Sequence, residues 1–539
     1  MVKKLSVCKQ YVDTAINKLL YLVNGIFIVL FGYYLALNIC GNSSRILLSF
    51  GFFLPVTLTG LLLLPSINDK FRNISEKTLN KVSVIINTVA FVLMVVFAVI
   101  MRTKYYLDEE TYSWDFGMVC DTALQYAKNS DTLPVNPETL SRYPNNHCII
   151  YFLYYIFKFI NYIFPNMPYS GYSITAIIIN CIFIEAAVVI TLLLAKKLLS
   201  YRKAFLCGCL INSCIPIYAY SPFYYTDTLS MPFVVGLLYV YVCFLKTEEK
   251  YRKILLTILF SVLAVIGFEI KATVIFIVAA VILDMIFRER SLKVLKSNCK
   301  YITAIFLLFV LLNGLLSGIY SKTFKITQDD YEQYKYPVTH WIMMSLNPDG
   351  TGSWTQSDDF ITRNAGNYDD KIKANIKEIK HRIDTLGFAG IVKHIFYTKG
   401  FRTWASGTLS ADYFLSINPV YPNILHEFFG ISGKYHAVYV TASMLYLFIL
   451  MLLILVSSIK CYIEKSFDKM TIIFTPILML ALFLMIWESN SRYILNMIPL
   501  MIIAGVYGFD RIVNFSYKFR SMLIKVKLSI KADRKNSNR

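Results

Sequence analysis

The chain has 539 residues, 56% of them hydrophobic and only 16% charged, with a mean hydropathy of +0.53; soluble chains carry about 25% charged residues. That balance excludes a disordered chain, a coiled coil, a disulfide-stapled secreted domain and an ordinary soluble enzyme, and it indicates a polytopic membrane protein. The net charge of +20 and pI near 9.3 fit the positive-inside rule better than a nucleic-acid footprint, because the Lys and Arg residues lie between bilayer-length apolar runs.

Two apolar runs come first, at 21–40 and 45–65. Lys3, Lys4, Lys9 and Lys18 precede them, and Lys70, Arg72, Lys77 and Lys81 follow. The first run is too long for a cleaved signal peptide and lacks its small-residue cleavage site. A third run, 82–101, ends outside if the N-terminus is inside. Residues 102–147 then make an acidic external loop. The apolar stretch 148–165 is Tyr-rich and carries Lys158. Counted as a span, it would put Lys196, Lys197, Arg202 and Lys203 outside. It is therefore read as a surface or re-entrant interfacial helix of the external loop, with a true span as the alternative.

Further spans are expected at 172–195, 204–221, 226–245, 253–268, 271–287 and 301–319. A long polar external segment, 320–435, follows. The last spans are 436–458, 470–487 and 493–510, before a basic cytoplasmic tail, 511–539. The fold class is thus an all-α polytopic membrane protein with about 12 transmembrane helices and a larger mixed external domain. Assigned cytoplasmic segments hold an excess charge of about +23, and the rest about −3. Both termini are expected in the cytoplasm of a multi-pass plasma-membrane protein. No nucleic-acid partner is expected.

The eleven Cys show no zinc spacing, and only Cys120 and Cys148 are clearly external, where a bridge between them is open. No phosphate-binding glycine loop, zinc-protease or hydrolase-elbow motif occurs. A nucleotide-driven pump is disfavoured accordingly.

Ionisable groups at the membrane boundary are costly and therefore informative. In the first external loop, Asp115 lies between Trp114 and Phe116 and opens an apolar-periodic segment, with Asp108 and Glu109 upstream. It reads either as a helix cap or as a carboxylate in a low-dielectric seat suited to general-base work. Arg142, Tyr143, Asn145, Asn146 and His147 form a polar lip before 148–165, or only a helix-entry turn. Tyr225 and Asp227 sit in a short external loop. Lys271, Arg402 and Arg492 are cations at external span ends. Glu488 precedes Arg492 by four residues, a spacing that suits an intrahelical pair; the Arg fork equally suits a phosphate.

The acidic loop, Tyr-Pro-Asn-Asn and the Tyr-rich helix together resemble the GT-C superfamily of membrane glycosyltransferases. Tyr-Thr-Asp227-Thr-Leu-Ser-Met-Pro, Glu269-Ile-Lys271-Ala-Thr and Glu488-Ser-Asn-Ser-Arg492-Tyr493 resemble segments of its bacterial family-39-like members, related to protein O-mannosyltransferases and the lipid A aminoarabinose transferase. The resemblance covers most of 82–510. It implies a GT-C-like transmembrane core at 82–319 with a catalytic external loop at 102–171, preceded by an extra two-span segment, 1–81. It also implies inverting transfer of a sugar from a polyprenyl-phosphate donor to a glycan, lipid or protein acceptor, outside the membrane of a bacterial cell envelope.

By position Asp115 matches the family's acidic residue, although Asp108 and Glu109 resemble the Asp-Glu pair of the mannosyltransferases. Lys271, Arg402 and Arg492 would hold the donor phosphate, and Arg142, Tyr143, Asn145, Asn146, His147, Tyr225, Asp227 and Glu488 would line the substrate cavity. Some relatives use a divalent metal, but no ligand set here demands one. Segment 320–435, with Trp341, Trp354 and Trp404, is the expected acceptor side, though core packing explains those aromatics equally well. The alternatives are a lipid-linked polysaccharide polymerase or ligase, and a lipid-linked glycan flippase. The flippase would need ionisable groups along several span interiors, and few are present, chiefly Glu185 and Asp284.

Overall fold

The computed structural model describes residues 2–41, 43–104, 114–128, 136–288, 292–465 and 467–537. Asp108 and Glu109 lie outside the described residues. The chain opens with three long helices, α1 (Val2–Gly41), α2 (Ser43–Arg72) and α3 (Glu76–Ile100). The middle of the chain contributes α4 (Asp115–Lys128), α5 (His147–Ile163), α6 (Tyr169–Leu198), α7 (Met231–Lys246), α8 (Lys250–Ile270) and α9 (Leu292–Phe324). It closes with α10 (His436–Glu464), α11 (Phe467–Ile486), α12 (Ile498–Tyr507) and α13 (Phe509–Ser537).

A bilayer's hydrocarbon core needs about 20 apolar helical residues to cross it. Among the described residues, seven helices meet that requirement: Thr14–Cys40, Glu76–Ile100, Tyr169–Leu198, Thr226–Lys246, Lys250–Ile270, Lys296–Phe324 and His436–Glu464. Their outward faces are apolar as well, as at Val84, Val89, Val92 and Val96 of α3. Water would penalise that surface and lipid does not. The protein is an all-α membrane protein whose helices pack side by side, with α6 against α7, α7 against α8, α8 against α9, and α10 against both α1 and α12.

Three expected spans are broken. The run 204–221 is a helix at Tyr201–Asn212, a break after Ser213, and a short helix at Ile215–Ala219. Lys271 is extended (φ −154°, ψ 115°), so the run 271–287 begins as a 3-10 turn, Ala272–Val274, before the helix Ile275–Phe287. The run 493–510 is a 3-10 stretch, Ser491–Met497, then α12, which bends by 41° into α13. Hydropathy sees only that these residues are apolar. Pro216 and Pro499 open the resumed helices at Ile215 and Ile498, where a proline's missing N–H costs nothing, and Lys271 pairs with Asp227 at the break before Ala272.

Helix α5 has 17 residues and two faces. Ile149, Ile150, Leu153 and Phe157 are buried, whereas Phe152, Tyr155, Phe159 and Tyr162 are exposed. It packs on α4.

The segment expected as a mixed external domain is built of helices and turns, including Val338–Ser345, Gln356–Arg363 and Tyr368–Val392. The only β pairing among the described residues is the isolated bridge Thr103–Pro419. Arg382 ties the segment together by donating to Asp358 (2.5 Å), Glu378 (2.8 Å) and the Met343 carbonyl (2.7 Å). Trp404 is not displayed for a sugar. It is buried and stacks on Tyr34 of α1 (4.6 Å, 10°). This gives α1 a structural task, since it holds the end of the external segment while Asn24 donates to the Ser458 carbonyl of α10 (3.1 Å). No disulfide joins Cys120 and Cys148.

Candidate active site

Four distant segments meet where the spans unwind. Asp115 opens α4 and is 45% exposed at its side chain. Its Oδ2 accepts a hydrogen bond from Tyr225 (2.8 Å) and lies 3.6 Å from an Arg492 terminal nitrogen. Asp227 is buried in the turn Thr226–Leu229. It pairs with Lys271 through Oδ1, and its Oδ2 lies 4.0 Å from Arg492 Nε. Among the described residues neither that Oδ2 nor that Nε has a hydrogen-bond partner. Two carboxylates and two cations therefore share one low-dielectric pocket, a charge-balanced set in which Arg492 touches both acids.

Aromatic rings confine Arg492 further. Its guanidinium lies over Trp114 (5.7 Å), Tyr225 (5.5 Å), Phe414 (5.6 Å) and Tyr493 (5.6 Å). Trp114 stacks on Phe414 (4.2 Å, 28°), which brings the external helix Ala411–Ser416 against the first external loop. Cation–π contacts hold the fork in place without consuming its donors.

Buried amides keep the turns in place. Asn180 of α6 donates to the Tyr220 and Ser221 carbonyls (3.2 and 3.0 Å) and accepts from Thr228 (2.5 Å). Asn496 donates to Ser230 (3.2 Å) and Thr273 (3.3 Å), linking three of the converging segments.

The remaining expected residues divide. Glu488 and Arg492 are not an intrahelical pair: residues 488–490 are outside any helix, Asn490 is extended (φ −154°, ψ 131°), and the 3-10 stretch starts at Ser491. Glu488 instead accepts from the Tyr493 hydroxyl (2.6 Å), and burial pushes its carboxyl up. Arg402 lies beside this loop, donating to Thr351 (3.0 Å) and the Ser489 carbonyl (3.3 Å). Arg142 pairs with Glu138 and lies over Tyr336 (5.1 Å). Asn145 donates to Asn146 (3.1 Å), and His147 is buried against the Leu140 carbonyl (2.9 Å). Tyr143 is partly buried between Arg142 and the turn, and burial raises its hydroxyl pKa.

Asn145 and His147 border a cleft of about 910 Å³, which Glu269, Asn313, Tyr320 and Tyr331 also line. Among the described residues no three His, Cys, Asp or Glu side chains converge on a metal-sized point. The carboxylates of the cluster face cations instead.

Two participants were invisible in the sequence. Phe414 belongs to an unremarkable Tyr-Phe-Leu run, and only its stack on Trp114 reveals it. Lys399 is buried and donates to Ser345 and to the Met485 (2.7 Å) and Trp487 (2.9 Å) carbonyls at the end of α11. Burial pushes its ammonium down to about 7.

The fold and the cluster define an integral membrane protein with a built polar site where its helices unwind. The chain belongs to the CHIM_prot family of conserved hypothetical integral membrane proteins, whose model matches residues 11–513. No curated protein matches it. Among solved structures, the Archaeoglobus fulgidus oligosaccharyltransferase AglB, in complex with an inhibitory peptide and a dolichol-phosphate, is similar at 11% identity and TM-score 0.40, over 81% of this chain and 51% of that one. The apo form of the A. fulgidus oligosaccharyltransferase gives 11% and 0.43, over 82% and 52%. ArnT from Cupriavidus metallidurans, bound to undecaprenyl phosphate, gives 10% and 0.32, over 78% and 77%. The chain thus spans about half the length of the oligosaccharyltransferase.

Proposed function

We propose that this protein is a GT-C-type membrane glycosyltransferase, transferring a sugar from a polyprenyl-phosphate donor to an acceptor hydroxyl on the extracytoplasmic face. One observation carries the reading. An accessible carboxylate, Asp115, stands 3.6 Å from a ring-confined guanidinium, Arg492, whose Nε has no hydrogen-bond partner among the described residues. A base beside an anion-binding fork is what this reaction requires.

In the resting cluster Arg492 is the counter-ion of Asp115. A donor phosphate competes for the fork and frees the carboxylate. Asp115 then takes the proton as the acceptor oxygen bonds to the anomeric carbon. The bond from that carbon to the phosphate oxygen breaks, and the lipid phosphate leaves with the electron pair. Attack opposite the leaving group inverts the configuration. Arg492 and Lys271 stabilise the negative charge developing on the leaving phosphate, and Arg402 supports its outer edge. Asp227 holds Lys271 and Arg492 in place.

The cleft bordered by Asn145 and His147, with its tyrosines and amides, suits a sugar-bearing acceptor, and segment 320–435 would complete the acceptor side. Segments 1–81, 82–319 and 436–510 form the membrane part in this reading, with 511–539 in the cytoplasm.

The test is sugar transfer in membrane fractions from a labelled polyprenyl-phosphate monosaccharide to candidate acceptors. Label moving to an acceptor with the wild type, but not with Asp115→Asn at equal expression, supports the proposal. Intact donor crossing the bilayer without product would make the protein a flippase. Transfer only from a lipid-linked oligosaccharide would make it a polymerase or ligase.

A further inference from the structure

Helix α13 presents an apolar strip that none of the other described residues covers. Successive helical residues turn by about 100°. Ile512, Phe515, Phe519, Met522, Leu523 and Val526 therefore share one face. Phe515 is 57% exposed, Met522 54% and Val526 49%, and Phe515 and Phe519 lie stacked side by side (6.2 Å, 13°). The helix is held on another side. Tyr517 donates to the Pro65 carbonyl (3.2 Å) and to Asp69, and Arg520 to Ser66 (2.9 Å), all on α2. The strip is therefore fixed facing away from α2. Ile524 and Leu528 lie off this face.

Charge completes the pattern. Lys518 and Lys525 edge the strip on one side, and Arg520 and Lys527 on the other. The sequence has no acidic residue between Asp510 and Asp533. An apolar strip of this kind, flanked by cations and continuous with a membrane helix through a 41° bend, matches a helix lying in a lipid headgroup layer, with its cations beside lipid phosphates.

We propose that α13 is a docking surface for anionic phospholipid, seated in the cytoplasmic leaflet through Phe515, Phe519, Met522 and Val526 and held there by Lys518, Lys525 and Lys527. It anchors the ends of α2 and α12 against the membrane. Nothing in it depends on the transfer reaction.

The full chain is reconstituted in nanodiscs of phosphatidylcholine alone, or enriched in phosphatidylglycerol, and hydrogen–deuterium exchange is followed across 512–528. The expected result is exchange slower by about tenfold or more in the anionic discs, since each basic residue near such a surface adds to the attraction. High salt, or the triple variant Lys518→Gln, Lys525→Gln and Lys527→Gln, removes the difference. Phe519→Ser with Met522→Ser weakens protection in both lipids and leaves exchange in α6 unchanged, which separates loss of docking from loss of fold. Equal exchange in the two lipids overturns the proposal. So does protection that appears only with two copies per disc, which would make a second copy the occupant.

Discussion

Tyr225 and Asp115 are 110 residues apart in sequence and joined by a hydrogen bond of 2.8 Å. The phenol donates its proton to the carboxylate, and Arg492 approaches the same oxygen at 3.6 Å. That oxygen is therefore oriented before any substrate arrives. Asp115→Asn keeps the shape and removes the base. Initial rates of sugar transfer in membranes should fall by about 10²–10⁴-fold at unchanged expression. Tyr225→Phe leaves the base and removes its orientation, so kcat should fall by about tenfold while KM for the donor holds. An active Asp115→Asn enzyme would return the residue to a capping role.

Arg492 should not tolerate Lys. The four surrounding rings fit a flat guanidinium, and an ammonium offers a phosphate one point charge in place of a fork. Donor titrations of Arg492→Lys should give a KM raised on the order of tenfold, with a fall in kcat as well. Arg402→Gln should do less, because Arg402 is committed to Thr351 and the Ser489 carbonyl.

Asp227 and Lys271 are both buried and directly paired. Removing one partner strands a charge away from water, which costs about 3–5 kcal/mol. Asp227→Asn should therefore lower the thermal unfolding midpoint of the purified protein sharply. Adding Lys271→Met should restore most of the loss, since the stranded charge goes with it, while transfer activity stays absent. An additive double variant would show that the pair is not energetically coupled.

How much of this was legible follows from what each signal measures. The long helices α3, α6 and α10 were readable because hydropathy sums over about 20 residues. The breaks at Ser213 and before Ala272 and Ile498 were not, because apolar composition persists through them. Asp115, Asp227, Lys271 and Arg492 were each legible as ionisable groups at expected span ends. Their meeting in one pocket was not, since Asn180 and Asn496 arrange it across the fold. The spacing of Glu488 and Arg492 misleads because four residues imply a pair only on a helix, and residues 488–490 lie outside any helix. Trp404 was readable as an aromatic, but only the structure shows its ring spent on Tyr34.

Acid should weaken the external part of the fold before it changes the membrane helices. His147 and His340 are buried, and burial pushes each pKa from 6.5 down to about 4. Their tautomers are set. His147 Nε2 faces the Leu140 carbonyl, which only accepts, so it carries its proton there. Thr362 donates its hydroxyl to Asn375 (2.8 Å), so His340 Nδ1 must donate to Thr362 (2.7 Å). Between pH 6.5 and 4 the unfolded chain binds protons that the folded chain refuses, so stability falls with pH in that window. Above 6.5 their contribution is fully present. For each refused proton the loss approaches about 1.4 kcal/mol per pH step of one. Unfolding midpoints measured across the window should drop towards acid. His340→Gln should flatten that slope, because one of the refused protons is gone while an amide can still reach Thr362. An unchanged slope in His340→Gln would show that His340 does not carry the acid sensitivity.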